Sequence, residues 1–218
     1  HATPIADKPS AVKKVAKARA IAEMKLFDRW DSNVEVNDLG LRGYINLKPR
    51  LLPRSGGALQ KRRFYKSKMH IVERLALHLM VSGHAGRKHR LTSGRFAGGY
   101  ITCVSAVEKA LEIIEKKEGK NPLEILVRAI ENAALREEIM TYQMGSIVAR
   151  DAVISAPQRR VDKVLRIFAQ GSYRKTFGKN SSLAEALAAE LLAAYKGSTD
   201  SHAIKEKDRI EREAMGAR

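Results

Sequence analysis

The side chains of this sequence that could act chemically are mainly cations, and many of them fall into three groups. The first group surrounds two adjacent aromatic residues, the second lies among glycines, and the third lies where a predicted hairpin meets a predicted helix. Cations next to aromatic rings suit single-stranded or looped RNA, because cations bind phosphates while rings stack on unpaired bases. The candidate RNA-binding residues are Lys61, Arg62, Arg63, Lys66 and Lys68; Arg87, Lys88, His89, Arg90 and Arg95; and Arg150, Arg159 and Arg160.

The third group lies where a helix is predicted to begin at Ala156-Pro157. Proline at the first helical position leaves other amide groups free, and these could hold a phosphate together with Arg159 and Arg160. Cations in a first turn oppose the helix dipole, and a bound phosphate would reverse that penalty. The alternative is an exposed first turn. For the first group, the alternative is a solvated basic loop whose rings, Phe64 and Tyr65, lie in the core.

The sequence contains none of the patterns expected of an enzyme. It has no Gly-x-Ser-x-Gly and no Gly-x-Gly-x-x-Gly, and its glycine-rich stretch lacks the Gly-Lys-Ser/Thr ending of a nucleotide-binding loop. A zinc site built from His84, His89 and Cys103 would lack a fourth ligand. The adjacent acids Glu137 and Glu138 favour a structural salt bridge with the neighbouring Arg136. We therefore predict no catalytic residue, no metal site and no cofactor.

The charge of the chain is unevenly distributed. The net charge is +17 with a pI near 10.1, and the stretch from Arg42 to Arg95 has 14 Lys or Arg against one acid. Such a concentration indicates a polyanion partner, nucleic acid rather than membrane, since we find no apolar run of about 18 residues. No signal-peptide pattern is found, and a single cysteine fits a reducing compartment, so we expect a cytoplasmic protein.

Hydrophobic periodicity and capping residues predict six helices and one β-hairpin, hence a mainly α fold. The hairpin, at about residues 139–154, turns at Gly145-Ser146 and should lean on a partner, because isolated hairpins are only marginally stable. The last helix has few apolar residues and is expected at the surface, free or against a neighbour. The helices are predicted at about 69–82, at Tyr100–Lys117, at about 121–134, from Ala156-Pro157 to Gly171, from Ser182 to Gly197, and at about Ser201–Met215.

The N-terminal third is predicted to be an extension of a single helical domain. Residues 1–68 would form a basic tail and arm, and residues 69–218 a helical RNA-binding domain. Within the arm, residues 1–23 are expected to order on binding, Val34-Glu35-Val36 allows one short strand, and Trp30 is expected to anchor the arm on the body. A long basic loop is expected at 83–99.

Several stretches resemble the universal small-subunit ribosomal protein seven family in its archaeal and eukaryotic form. The similarity runs from Lys25 to Arg218. It is carried by KLFDRW, VEVNDLGLRGYINLKPRLLP and SGG in the arm, and by IVERL at 71–75, NPLEILVRAIENAALREE at 121–138, AVISAPQRRVDKVLR at 152–166 and AAYKGSTDSHAIKEKDRIER at 193–212.

The resemblance implies a helical domain of about six helices with a protruding β-hairpin and a basic N-terminal arm. It further implies a non-catalytic protein that binds the 3′ major domain of small-subunit rRNA and organises the subunit head during assembly. Exit-site tRNA and mRNA would lie nearby, as would the platform protein of the eleventh ribosomal family. In this family the SAPQRR block at 155–160 forms the hairpin-to-helix junction, and Arg136 lies at a Pro-Arg-Glu corner, so Arg136 joins the candidate RNA-binding residues.

The chain departs from the family pattern at the hairpin. Leu135 and Ala156 stand where the family usually has proline and serine, and MTYQMG lacks arginines that are common in relatives. We therefore predict the stronger RNA contact at Arg159 and Arg160, and a mostly steric, tRNA-proximal tip formed by Gln143, Met144, Gly145 and Ser146. Two other function classes remain open from the residues alone: a non-ribosomal helical nucleic-acid-binding protein, and an RNA-modifying enzyme with a cofactor pocket.

Overall fold

A computed structural model describes residues 24–80 and 98–217. These residues contain six α-helices and one antiparallel hairpin, as predicted, and an arm of mostly irregular structure before the first helix. Two short 3-10 helices, Ala58–Gln60 and Tyr65–Lys68, lie in the arm. In chain order the elements are α1 (Ile71–Met80), α2 (Tyr100–Glu118), α3 (Pro122–Ala133), β1 (Glu137–Met144), β2 (Ile147–Ile154), α4 (Pro157–Thr176), α5 (Leu183–Tyr195) and α6 (His202–Met215).

Some of the predictions fall outside the described residues. These are the tail at 1–23 and most of the glycine-rich basic loop, with Arg87, Lys88, His89, Arg90 and Arg95. Among the helices that the structure describes, none is long and apolar enough to cross a membrane.

The predicted capping residues begin and end helices as their chemistry requires. The Asn121 side chain accepts a hydrogen bond from the backbone N–H of Leu123 at 3.0 Å, which satisfies a free amide at the start of α3. Ser182 and Glu185 form a reciprocal capping box at the start of α5. Gly119 ends α2 with a φ of 64°, a conformation that glycine adopts without strain.

The prediction that the fourth helix stops at Gly171 is wrong. Helix α4 runs to Thr176, and Gly171 is buried in its interior. A Cβ atom at this position would lie 3.0 Å from the Cβ of His202 and 3.1 Å from the Cδ of Glu190. Glycine is present because α4, α5 and α6 approach each other closely here, and this packing outweighs the weak helix propensity of glycine.

Helix α5 lies at the centre of the core and contacts α2, α3 and α4. Its buried face combines leucines with several alanines, whose small side chains allow neighbouring helices to come close. The arm joins this core through Leu26 and Trp30. Trp30 is only 3% exposed, and its indole N–H donates to Glu115 Oε2 at 3.0 Å. The prediction that Trp30 anchors the arm is confirmed.

The short strand that the alternation of Val34-Glu35-Val36 allows is not formed. Val34 and Val36 pack against the core, as their alternation suggests, but no neighbouring segment forms a ladder with them. The next two backbone N–H groups, of Asn37 and Asp38, instead donate to Glu131 Oε1 at 2.6 and 3.0 Å. A carboxylate on α3 thus takes the place of a pairing strand.

The hairpin is supported by helix α6 of the same chain. Strands β1 and β2 pair antiparallel from Glu137 opposite Ile154 to Met144 opposite Ile147, and Gly145 turns the chain with a φ of 62°. Both strands contact α6, and the backbone N–H of Arg136 donates to Glu211 Oε1 at 3.0 Å. The last helix is therefore not free at the surface but packs against the base of the hairpin.

We expect a pH-dependent loss of stability that originates at His70, the residue that caps α1. Its imidazole is fully buried, and its Nδ1 accepts a hydrogen bond from the Val72 N–H at 3.3 Å. Burial, and secondarily the charge of Arg50, lower the pKa of His70 to about 4. The unfolded chain therefore binds the proton more readily, and the free energy of unfolding should fall by about 3 kcal/mol as pH decreases from about 6.5 to 4.

Urea unfolding of the wild-type protein and of His70→Asn across this pH range measures the effect. Asparagine keeps a capping oxygen but does not titrate, so the variant should lose this component of the pH dependence. Other groups, among them His202, contribute equally to both proteins and cancel in the difference. Identical pH profiles would contradict the assignment.

Candidate nucleic-acid interface

The first predicted group forms a cationic, aromatic surface on the arm. We call Lys61 to Lys68 the basic arm segment; all five of its cations are exposed. Phe64 is 60% exposed, with the Arg63 guanidinium 5.1 Å from its ring centroid. Tyr65 is half-buried beneath Arg62 and Lys68, at 5.7 and 4.3 Å. The alternative that both rings lie in the core is therefore wrong for Phe64.

Most cations of the basic arm segment have no acidic partner. Among the residues that the structure describes, Lys61, Arg62, Arg63 and Lys68 form no ion pair. The exception is Lys66, which pairs with Asp162 on α4. These cations can bind phosphates without first breaking an ion pair.

The third predicted group is arranged differently, because an acid of the hairpin faces it. The Arg159 guanidinium donates through Nε and Nη2 to the two oxygens of Glu138 at 2.5 and 2.9 Å, and Lys163 donates to Oε2 at 3.1 Å. Burial of Glu138 disfavours its charged form, but hydrogen bonds from Arg159 and Lys163 outweigh this and lower its pKa to about 2. Glu138 thus offsets the charge of Arg159 in the first turn, the role that a phosphate was predicted to have. Glu138 therefore forms its salt bridges with Arg159 and Lys163, and not with the predicted partner Arg136.

Arg160 also has internal partners. Its Nε donates to the backbone oxygen of Leu135 at 2.5 Å, and its Nη1 lies 4.0 Å from Asp38 Oδ2. By contrast, Arg136 and Arg150 are exposed and form no ion pair with any described residue. At the tip, Met144 is exposed, and the Gln143 amide donates to the Gly145 carbonyl at 3.0 Å. The tip carries no charge, because none of its four residues is ionisable.

A groove joins the first and third groups. It has a volume of about 810 Å³ and runs along α4. It is lined by Phe64 and Lys66 of the arm, His78 of α1, Glu206 of α6, and Ala156, Gln158, Arg159, Asp162, Lys163, Arg166, Ile167 and Gln170 around α4. Exposed Arg166, which the sequence interpretation did not single out, adds a cation without an ion pair in the described part of the chain.

A buried ion pair fixes the position of the arm beside this groove. Arg74 of α1 is 3% exposed, and it donates to Asp162 Oδ1 and to the Tyr44 carbonyl, both at 2.7 Å. Asp162 also pairs with Lys66, and His78 lies 3.9 Å away. Burial favours the neutral form of Asp162, yet His78, Lys66 and Arg74 outweigh burial and hold its pKa well below the usual range. Only the position of Arg74 within an apolar helix hints at this role in the sequence.

Together, the helical body, the basic arm and the supported hairpin define a protein that binds a polyanion. Among the described residues, no group of His, Cys, Asp and Glu could hold a metal ion. Residues 41–218 match the family model described as ribosomal protein S7p/S5e. The chain therefore belongs to the ribosomal protein S7p/S5e family.

Three curated relatives, each named small ribosomal subunit protein uS7, are similar over almost the whole chain. The protein of Nanoarchaeum equitans (strain Kin4-M) is 49% identical over 197 residues, 90% of this chain and 100% of the relative. That of Methanothrix thermoacetophila is 42% identical over 196 residues, 89% and 100% of the two chains. That of Cenarchaeum symbiosum (strain A) is 41% identical over 194 residues, 88% and 96%.

Family membership confirms several predictions made from the sequence. The chain is an archaeal-type protein of the small ribosomal subunit, and it is therefore a structural component of a cytoplasmic ribonucleoprotein that acts in translation. It belongs with structural proteins and not with enzymes. The non-ribosomal and enzymatic alternatives are no longer supported.

Proposed function

We propose that this protein binds the 3′ major domain of small-subunit rRNA and helps to organise the subunit head during assembly. In this proposal the hairpin tip, Gln143 to Ser146, points toward exit-site tRNA, with mRNA and the platform protein of the eleventh family nearby. The observation that carries the proposal is the basic arm segment, which presents unpaired cations around an exposed ring and is held in place by buried contacts. This is the arrangement expected for looped RNA.

The structure supports an order of importance among the proposed RNA contacts. The basic arm segment comes first, because most of its cations can bind phosphate without breaking an ion pair. Arg159 comes second, since Glu138 occupies only part of its donor edge and other guanidinium N–H groups stay available. Arg136, Arg150 and Arg160 complete the surface, and Arg87, Lys88, His89, Arg90 and Arg95 stay predicted contacts.

Removing arm charges should reduce the salt dependence of RNA binding. Each phosphate contact contributes a slope of about 0.7–0.9 in log affinity against log salt. We expect the triple variant Lys61→Ala, Arg62→Ala, Arg63→Ala to lose about two slope units and bind a 3′ major domain transcript at least about tenfold more weakly near physiological salt. Filter binding or fluorescence anisotropy at several salt concentrations measures both quantities.

A matched variant controls for net charge. Lys116, Lys117 and Lys120 are exposed cations at and just after the end of α2, and they belong to none of the three predicted RNA-binding groups. Replacing these three by alanine removes the same charge but should leave the slope nearly unchanged. Equal losses in both triple variants would mean that only total charge matters, and would refute the assigned interface. A wild-type affinity independent of salt would refute the proposed function itself.

A further inference from the structure

The wall between two adjoining grooves contains a buried amide without a partner. Phe64, Lys66 and Gln158 line both the groove along α4 and a smaller one of about 350 Å³ beside Leu59. Gln158 is the second residue of α4 and is 7% exposed. Its Nε2 atom is fully buried and has no hydrogen-bond partner among the described residues. A buried donor without an acceptor is costly and calls for an explanation, and an acceptor supplied by a bound ligand is one.

Phe64, at the same wall, is held in an unusual backbone conformation. Its φ is 67°, in the left-handed region that bulky residues rarely adopt. Instead of turning into the core, its ring lies largely in solvent, next to the guanidinium of Arg63. Local strain that displays an aromatic ring is typical of a binding site.

We propose that Phe64 and Gln158 form a binding site for one unpaired RNA base. The base stacks on the Phe64 ring, and the Gln158 side chain turns from its buried position toward the groove, so that its Nε2 donates to a carbonyl or ring-nitrogen acceptor of the base. The inference rests on the proposed function, since it names a subsite of the same RNA-binding surface. It goes further in assigning a contact to a base and not to phosphate.

The charges around the site favour a nucleotide. Four cations line the groove and can contact the phosphates on either side of the base: Lys66, Arg159, Lys163 and Arg166. Arg166 has no ion pair with any described residue, whereas Lys66 shares Asp162 with Arg74, and Arg159 and Lys163 share Glu138. Two acids also line it, but neither is free: Asp162 is paired with Arg74 and Lys66, and Glu206 accepts two hydrogen bonds from Arg209. The groove therefore has an excess of positive charge.

An acidic peptide from a neighbouring protein would also suit the cations, but it fits the other two features less well. A carboxylate gains little from an exposed phenylalanine ring, whose face is electronegative. A base uses both features at once, because every base has a flat face for stacking and an edge with acceptors. The peptide is therefore the rival occupant that the experiment has to separate.

The test measures the affinity of the 218-residue chain for two RNA probes of equal charge. One probe is oligouridine of about ten nucleotides, and the other is the abasic ribose-phosphate chain of the same length. Phe64→Leu should bind oligouridine about tenfold more weakly than wild type, because stacking on an aromatic ring is lost. Its affinity for the abasic chain and its salt slope should not change, since no phosphate contact is removed. Phe177→Leu, at another partly exposed phenylalanine, is the matched control and should behave as wild type.

Gln158→Leu provides a second, independent measurement. It should also weaken oligouridine binding, while its melting temperature stays equal to or above that of wild type, because a buried unpaired amide is replaced by an apolar side chain. A purely structural role for Gln158 would instead lower the melting temperature.

Three results would overturn the base site: wild-type affinity of Phe64→Leu for oligouridine, equal losses on both probes, or no measurable oligouridine binding by wild type. Binding of a polyglutamate peptide that Phe64→Leu weakens, with oligouridine unaffected, would assign the groove to a protein partner and also overturn it. These failures are distinct from failure of the proposed function, which the salt dependence with the 3′ major domain transcript tests separately.

Discussion

Asp162→Asn is expected to lower the free energy of unfolding by about 3 kcal/mol at neutral pH, the usual cost of leaving one member of a buried ion pair alone. The guanidinium of Arg74 is almost fully buried, and Asp162 is the acid that neutralises it at 2.7 Å. Asparagine has nearly the same size, so the loss comes from charge and not from packing. For a chain of this length the melting temperature should fall by about 6–12 °C.

The exposed partner of the same carboxylate supplies the control. Lys66 reaches Asp162 from solvent, so Lys66→Met should cost less than about 1 kcal/mol, as is usual for exposed pairs. Because the pKa of Asp162 is depressed in the folded state, its stabilisation is present above about pH 4 and is lost as pH falls below this. Asp162→Asn should remove that acid-sensitive component. Equal effects of Lys66→Met and Asp162→Asn would show that burial of Arg74 is not the cause.

This ion pair also bears on RNA binding, because Arg74 connects three parts of the molecule. It reaches from α1 to α4 through Asp162 and to the arm through the Tyr44 carbonyl. The neighbouring Glu73 accepts hydrogen bonds from the Ser55 N–H and hydroxyl at 2.8 and 2.5 Å, which fixes a second point of the arm. The basic arm segment comes shortly after Ser55 in the chain. Its cations are therefore already positioned in the free protein, and less conformational entropy is lost on binding RNA.

The helices could be predicted from the sequence because the signals that define them are local. Asn121-Pro122, the Ser182–Glu185 box and Gly119 each act on backbone groups within a few residues, and each behaves as expected. Gly171 shows where local reasoning fails. A glycine ends a helix only if nothing compensates its low propensity, and the compensation comes from α5 and α6, which lie far along the chain.

In the candidate site, too, local features could be predicted from the sequence and contacts between distant residues could not. The types of the cations could be predicted, but whether each has an acidic partner could not, since the pairs are distant in sequence. Lys66 pairs with Asp162 and Arg159 with Glu138, across 96 and 21 residues respectively. Arg159 and Arg160 were predicted to be stronger RNA contacts than the hairpin tip, partly because a phosphate would offset their conflict with the helix dipole, and for Arg159 this conflict is already offset in part by Glu138. The unpaired amide of Gln158 has no signal in the sequence at all.

Glu190→Ala is expected to have an effect of similar size, about 3 kcal/mol, because it leaves the buried Ser201 hydroxyl without its acceptor and a cavity in the place of the side chain. Glu190 is fully buried in α5, where its Oε1 accepts the Ser201 hydroxyl at 2.7 Å and the Ala203 N–H at 3.1 Å. Lys175 lies 2.6 Å from Oε2 and is partly exposed, so it can turn to water in the variant. Glu190→Gln keeps an oxygen for Ser201 and Ala203, and should cost only about 1 kcal/mol.

A double-mutant cycle with Gly171 tests whether Glu190 also sets the close approach of α4. Gly171→Ala should gain about 1 kcal/mol from helix propensity but lose about 1–3 kcal/mol from overpacking, because hydrogen bonds hold Glu190 in place 3.1 Å from the new Cβ. In the Glu190→Ala background the new Cβ atom meets only His202 and no longer meets the Glu190 side chain, so Gly171→Ala should become neutral or stabilising. Urea unfolding of the four proteins gives the coupling energy. If the effects of Gly171→Ala and Glu190→Ala are additive, the close contact that requires glycine is with His202 on α6 alone. The Glu190 carboxylate then does not determine how closely α4 approaches.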